Sequence, residues 1–596
     1  MANNKSKISG VLEDIEQMVQ DSVGVLVGTE EGVVLSDSPD HIEGVDFGVN
    51  VVGLAKRFGL SPVDLAKDLV EIIGKKIEGD DLSWVSRVVS VGPFVNIEIN
   101  VDLVGREVVD RIIEQGGDYG KEREGGKGKV VVDMSSPNIA KRMNYGHLRS
   151  TVIGAAIANL YEVGGYEVVR DNHIGDWGTQ YGKLMVAIEK WGSMQKLKKA
   201  DDPIGYLQEL YVKFHDEVDK QAEVEKDGEV VVETELEREG REAFSKLEKG
   251  DKQVRELWKM CVDLSMKEFE KIYQFLGVKF DVALGESFYK DKLEETMELV
   301  EKSDCGTISE GALVVDMDDV GLGVSIVRKS DGASVYMTRD LACAMYRAEE
   351  MKADKAIYVV GEDQKLYFRQ LFEILKRLGV EIGSKSEHIY FGMVRLKEGK
   401  MSTRKGRTVL LKDVIEEGVN RVEKTLKEKG VRLDDEAVRQ IVAGALKWND
   451  LGQDARRSMV FDWDEALNMQ GYSAPYVQYA VVRAKSLLKK AGYERGVGVE
   501  GKRVDGVYGD EAERDLVKML MKYSRVLKEA MEHNDPSRLA VLIYSLAKHF
   551  STFYNKTQII GSDDGLKLAR LRLVDAVSQT IENGLGVLGI EVPEKM

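Results

Sequence analysis

Apolar residues set the first divisions of this chain. Over 130–134, 167–170, 356–360 and 388–394, short apolar runs alternate with stretches of helical period. Such alternation predicts a parallel sheet covered by helices. Between Trp191 and Phe280 the residues are almost wholly polar and helical in spacing, which predicts a helical insertion into that sheet. Upstream, Val85–Val91 and Phe94–Ile99 flank Gly92-Pro93, a hairpin signal. The charged, Gly-rich stretch 117–129 reads as a linker. From about Lys412 onward no strand pattern remains. Leu516, Leu520, Tyr523, Leu527 and Ala530 recur at helical spacing. Asp535-Pro536 then opens a helix with Leu539, Ile543, Leu546, Phe550 and Phe553 on one face.

The expected architecture is α/β in three parts. Residues 1–120 form an α+β domain. Residues 121–410 form the parallel-sheet domain, with the insertion at about 192–280. Residues 411–596 form an all-α bundle. At 596 residues, with 43% apolar and 32% charged positions, the chain has ample core for several domains.

No apolar stretch approaches the roughly 18 to 20 residues of a membrane span, and the N-terminal segment carries Glu13, Asp14 and Glu16 rather than a signal pattern. Cys261, Cys305 and Cys343 lie far apart. That argues against a disulfide framework and a cysteine-rich metal site, and fits a reducing cytosol. A net charge of −18 disfavours non-specific binding of DNA or RNA, so a polynucleotide partner needs a local basic surface. One exists at 480–503, with seven Lys or Arg against two Glu. Tyr472, Tyr476 and Tyr479 precede it, suited to stacking exposed bases or, equally, to core packing.

Two segments carry candidate chemistry. The run 130–134 leads into SSPNIAKRMNYGHLRST, residues 135–151. A strand, a loop and a helix opening near Gly146-His147 is a phosphate-binding layout, since a helix start offers free N–H groups and a positive dipole end. Alone, it reads more readily as a loop with a satisfied histidine. The second segment, Gly399 to Gly406, packs Lys400, Arg404 and Lys405 between two glycines. A cationic, glycine-bounded loop can close over a developing pyrophosphate charge, and alone it equally reads as a solvated basic turn.

Together these segments, with NHIGDWGTQYG (172–182), closely resemble the arginyl-tRNA synthetases, members of the class I aminoacyl-tRNA synthetases. YSAPYVQYAVVRAK (472–485) and NGLGVLGIEVPEKM (583–596) look like that family's anticodon-binding end, and GPFVNIEIN (92–100) like its additional N-terminal domain. The resemblance implies a Rossmann-type catalytic domain. It puts Asn144 to His147, with Gly146, on the HxGH signature, and Lys400, Met401, Ser402, Thr403 and Arg404 on the KMSKS loop. Two departures stand out. Asn144 replaces a histidine, so it can donate but not carry charge. Thr403 replaces a lysine, a loss that Lys141 is placed to offset.

The resemblance also implies an arginine pocket. Glu286 in LGESFY, with Tyr336 and Asp340 in VYMTRDLA, would hold the guanidinium; a spacing of four puts the latter two on one helix face. Planar, bidentate pairing suits guanidinium and not ammonium. Asn138 would hold the amino-acid end, and Gln364 would complete the pocket. Asp176 and Trp177 fall beside a strand end, where ligands of open sheets collect, with His173 nearby. The implied substrates are L-arginine, ATP with Mg²⁺, and tRNA(Arg), the last contacted through Phe94, Asn96, Tyr476, Tyr479 and Arg483. No protein-bound metal, DNA or membrane partner is expected, and the resemblance implies a cytoplasmic monomer. Two other readings stay open: another class I synthetase, disfavoured by the acidic pocket, and a catalytically impaired tRNA-binding paralogue, favoured only by Asn144 and Thr403.

Overall fold

The computed structural model describes residues 10–28, 33–37, 45–78, 84–122, 125–224, 234–396, 409–495, 507–562 and 564–596. The chain forms two compact units.

One unit joins Met1–Glu124 to Asn468–Val587 and Glu591–Met596. Its strands β1 (Ser36–Asp37), β2 (Phe47–Asn50), β3 (Val85–Val91) and β4 (Phe94–Ile99) make an antiparallel sheet in the order β1-β2-β4-β3. The hairpin β3–β4 turns at Gly92, as its sequence predicts. Asn100 caps the next helix, Val101–Gln115, by accepting from Leu103 N–H at 3.3 Å. The stretch read as a linker begins packed: Tyr119 is buried and stacks on Tyr523 with ring centroids 5.7 Å apart. Buried Asp46 is held by Arg514 and Lys518, at 2.5 and 3.1 Å. In the helix Ser537–Lys556, Leu539, Ile543, Leu546, Phe550 and Phe553 are all fully buried.

The other unit spans Gly125–Leu467 with Leu588–Ile590. Its central sheet is parallel, in the order β11-β10-β5-β6, from β5 (Lys129–Asp133), β6 (Glu167–Asp171), β10 (Lys355–Gly361) and β11 (Glu387–Phe391). These are the four apolar runs of the sequence. Val130, Val131 and Val132 are buried on both faces, the reason their pattern does not alternate. The insertion is helical: Met194–Lys199, Pro203–Val224, Glu235–Glu248 and Lys252–Leu276.

Three features differ from the sequence reading. An antiparallel sheet, β7 (Gly306–Ser309), β8 (Ala312–Asp316) and β9 (Val324–Arg328), lies between the insertion and β10. A strand persists beyond Lys412, because β13 (Met459–Phe461) pairs in parallel with β12 (Val394–Leu396). The helices Leu411–Lys429 and Asp435–Leu451 also belong to the sheet unit, so the unit holding the terminal bundle resumes at Asn468, not near 411. A buried ion pair ties the second of these helices to the sheet unit: Arg149, fully buried on the helix Tyr145–Val163, donates to Asp450 at 2.7 Å.

Candidate active site

The loop after β5 is strained and tightly tethered. Ser135, Ser136 and Ala140 take positive φ values of 71°, 47° and 60°, a conformation such residues keep only when their surroundings impose it. Ser135 N–H donates to Ser150 Oγ at 2.8 Å, Ser136 Oγ to Asp133 at 2.9 Å, and Ala140 N–H to Ser265 Oγ at 2.9 Å. Asn138 bridges to Gly175, and a Cβ at Gly175 would stand 2.3 Å from Asn138 Oδ1. A side chain at 175 would therefore push the Asn138 amide out of its present position.

Asn144 and His147 form a reciprocal cap. Asn144 Oδ1 accepts from His147 N–H at 3.2 Å, while His147 Nδ1 accepts from Asn144 N–H at 3.0 Å. The neutral imidazole therefore carries its proton on Nε2, which is left to donate outward. Burial, with the ammonium of Lys141 nearby, pulls the His147 pKa down to about 4 against the raising effect of its backbone hydrogen bond. Asn144 thus uses its side-chain carbonyl as a helix cap.

The second motif, Lys400 to Arg404, lies outside the described residues. The described residues on either side of it are held at the first motif. On the C-terminal side, Tyr145 N–H donates to Val409 O at 3.3 Å and Leu411 N–H to Met143 O at 3.0 Å. Before it, Arg149 Nη1 donates to Gly392 O at 2.6 Å, and its Nη2 to Ala455 O at 3.1 Å.

The acidic residues converge. Glu286 opens a short 3₁₀ helix, its N–H bonded to Ile174 O at 3.1 Å. Arg339 donates to Glu286 Oε2 at 2.8 Å and lies over the Tyr336 ring. Asp340 accepts from the Tyr367 hydroxyl. Burial raises the pKa of both acids; Arg339 and His173 oppose this at Glu286, while His173 and Tyr367 oppose it at Asp340. The charge of Asp340 is itself among the causes that raise Glu286.

Positions 336, 340 and 347 lie along one stripe of the helix Tyr336–Glu349. Arg347 at its foot is fully buried and donates to Asp133 and Asp171, each at 2.7 Å. The ends of β5 and β6 therefore fix the helix that presents Asp340. Asp176 accepts from Ser287 N–H and Oγ at 2.9 and 2.6 Å, holding the Glu286 segment. His173 Nδ1 donates to Leu284 O at 2.8 Å. Tyr336 is 64% exposed and borders an open cleft of about 1600 Å³, with Trp177 also in its lining.

The remaining expected site residues differ in exposure and partners. Gln364 lies exposed just past β10, and no side-chain hydrogen bond holds it among the described residues. In the other unit, Phe94 is 44% exposed whereas Asn96 is buried opposite Gly48. Tyr476 packs on Tyr544, its hydroxyl bonded to Ser551 Oγ at 3.2 Å. Tyr479 is exposed, and Arg483 lies over its ring at 5.7 Å and over that of Tyr554 at 4.2 Å. Sequence reasoning missed Tyr367, Arg339, Asp133, Asp171 and Arg347. For Asp133 and Asp171 a signal existed: an acid closing each apolar run, at the strand ends where ligands collect.

Comparison with known proteins identifies the family. Residues 108–463 match the family model "tRNA synthetases class I (R), catalytic domain", 477–596 the "DALR anticodon binding domain", and 9–99 the "Arginyl tRNA synthetase N terminal domain". The arginine--tRNA ligase of Exiguobacterium sibiricum is 39% identical over 97% of this chain and 99% of its own. That of Enterococcus faecalis is 37% identical over 100% of both. The arginyl-tRNA synthetase of Thermus thermophilus shares the fold, with a TM-score of 0.80, 24% identity, and coverage of 98% of this chain and 100% of its own. With a catalytic-domain match over more than half its length and relatives aligned end to end, the chain belongs to the class I arginine–tRNA ligases.

Proposed function

We propose that the chain joins L-arginine to tRNA(Arg) at the expense of ATP, with Glu286, Tyr336 and Asp340 gripping the guanidinium. Asn138 holds the amino and carboxylate end, and Gln364 completes the pocket. The arginine carboxylate attacks the α-phosphate of ATP, giving arginyl-adenylate and pyrophosphate. The terminal adenosine hydroxyl of the tRNA then attacks the arginyl carbonyl of the adenylate, forming the ester and releasing AMP. The carboxylate is already a nucleophile, so the protein's part is positioning and charge stabilisation. His147 donates Nε2–H to a phosphate oxygen, and the Asn144 side-chain amide adds a second donor. Lys141, Lys400 and Arg404 supply cationic charge, and Mg²⁺ enters with ATP as part of the substrate. The tRNA is met by Phe94 and Asn96 at one end and by Tyr476, Tyr479 and Arg483 at the other. The enzyme acts as a monomer in the cytoplasm.

The observation that supports this reading is that Glu286 and Asp340, from distant segments, lie within electrostatic reach of one another, with a guanidinium already seated on Glu286. The test is release of pyrophosphate from ATP by the full chain with L-arginine and tRNA(Arg). Asp340→Asn is expected to raise the arginine KM at least about 30-fold, the cost of roughly 2 kcal/mol for losing a charge-assisted pair, and to leave tRNA binding unchanged. Unchanged arginine kinetics would remove Asp340 from the pocket. No pyrophosphate release by the unaltered chain would favour the catalytically impaired paralogue.

A further inference from the structure

Arg339 stands inside the pocket, and the reaction assigns it no part. Its Nη1 is 2.8 Å from Glu286 Oε2, with the two side chains only 12% and 15% exposed. Its guanidinium carbon lies 5.0 Å from the centroid of the Tyr336 ring. A carboxylate partner and a tyrosine face are what the pocket offers an arginine substrate. The internal fit is incomplete, because Arg339 Nε is buried without a hydrogen-bond partner among the described residues. A buried donor left unpaired makes an arrangement easier to displace.

Arg339 also has somewhere to go. It lines the 1600 Å³ cleft together with Tyr336 and Glu248. Burial raises the Glu248 pKa, and the charge of Arg339 already opposes that rise. The two groups are thus within electrostatic reach while Arg339 still holds Glu286.

We propose that Arg339 is an internal competitor for the guanidinium site, seated on Glu286 when arginine is absent and displaced toward Glu248 when arginine binds. The proposal rests on the reading that Glu286 receives the substrate's guanidinium. Both guanidiniums want the same carboxylate in the same planar geometry, so one excludes the other at Oε2. Arginine binds only the fraction of molecules in which Arg339 has left, so its apparent dissociation constant is the intrinsic one divided by that fraction. Arg339 thereby sets the arginine concentration at which the site fills. It does not set the choice of arginine over lysine, since any ligand of Glu286 meets the same competitor.

Equilibrium binding of L-arginine to the full chain, measured by calorimetry, tests this. Arg339→Ala is expected to lower the dissociation constant, by about tenfold if the site is free a tenth of the time. Arg339→Lys is expected to lower it less, because an ammonium pairs with Glu286 without the planar fork. Glu248→Gln, a change at an exposed residue that does not threaten folding, is expected to raise it. An unchanged or raised constant in Arg339→Ala or Arg339→Lys overturns the competitor role, and an unchanged constant in Glu248→Gln overturns the displaced position. Failure of the unaltered chain to bind L-arginine would instead overturn the functional reading on which the proposal rests.

Discussion

His147 shows how much of a residue's chemistry depends on its neighbours. The sequence places a histidine at a helix start, but the proton's position follows from the reciprocal cap with Asn144, which ties down Nδ1. Burial, aided by Lys141, brings the pKa to about 4, so the group is a neutral donor across the working range. Because the folded value lies below the unfolded value of about 6.5, its contribution to stability is complete above pH 6.5 and is lost as pH falls toward 4. The total is on the order of 3 kcal/mol. An NMR titration is expected to find the His147 imidazole neutral at pH 6; a midpoint near 6.5 would contradict the buried cap. Asp340 was legible on the same helix face as Tyr336. Its partner Tyr367 was not, because that hydroxyl comes from a different helix and no periodicity marks one tyrosine among many.

At the scale of elements, legibility followed burial. Strands β5, β6, β10 and β11 stand out as near-continuous apolar runs because both their faces are covered. Strands β7 to β9 were hidden: Ile308, Val324 and Ile326 face solvent, so hydrophobicity does not mark an inner face. The loop stem was hidden too, since Arg149 reaches residues more than 240 positions away. Gly392 is the tightest point of that stem. A Cβ there would lie 2.6 Å from Ser458 N and 2.7 Å from Arg457 C, and backbone atoms, unlike a side-chain end, cannot swing aside. Gly392→Ala is therefore expected to destabilise the chain by about 1–3 kcal/mol and to slow pyrophosphate release more than it weakens arginine binding. Denaturant unfolding and pre-steady-state kinetics read the two effects; wild-type stability with wild-type release would show that the stem tolerates movement.

At the scale of the whole molecule, the proposed sites fall in two units that sequence texture only partly separates. The bundle helices look alike from Leu411 to the end, yet those up to Leu451 serve the sheet unit because Asp450 neutralises Arg149 there, and a last short stretch, Leu588–Ile590, returns to it, where Lys447 donates to Gly589 O. The proposed tRNA contact at Arg483 lies in one unit and the proposed arginine pocket in the other. Sites without shared partners contribute nearly independently, within about 0.5 kcal/mol. Arg483 sits between the faces of Tyr479 and Tyr554, where its removal takes away both a cation and the order it imposes on two aromatic rings. Arg483→Ala is expected to weaken tRNA(Arg) binding by about 1–2 kcal/mol, roughly 5- to 30-fold, with arginine affinity in the absence of tRNA unaltered. Combined with Asp340→Asn, the tRNA and arginine losses should appear side by side at their single-variant sizes. An Arg483→Ala chain that binds tRNA normally, or that loses arginine affinity without tRNA, would mean that the basic stretch serves the fold and that the division of labour lies elsewhere.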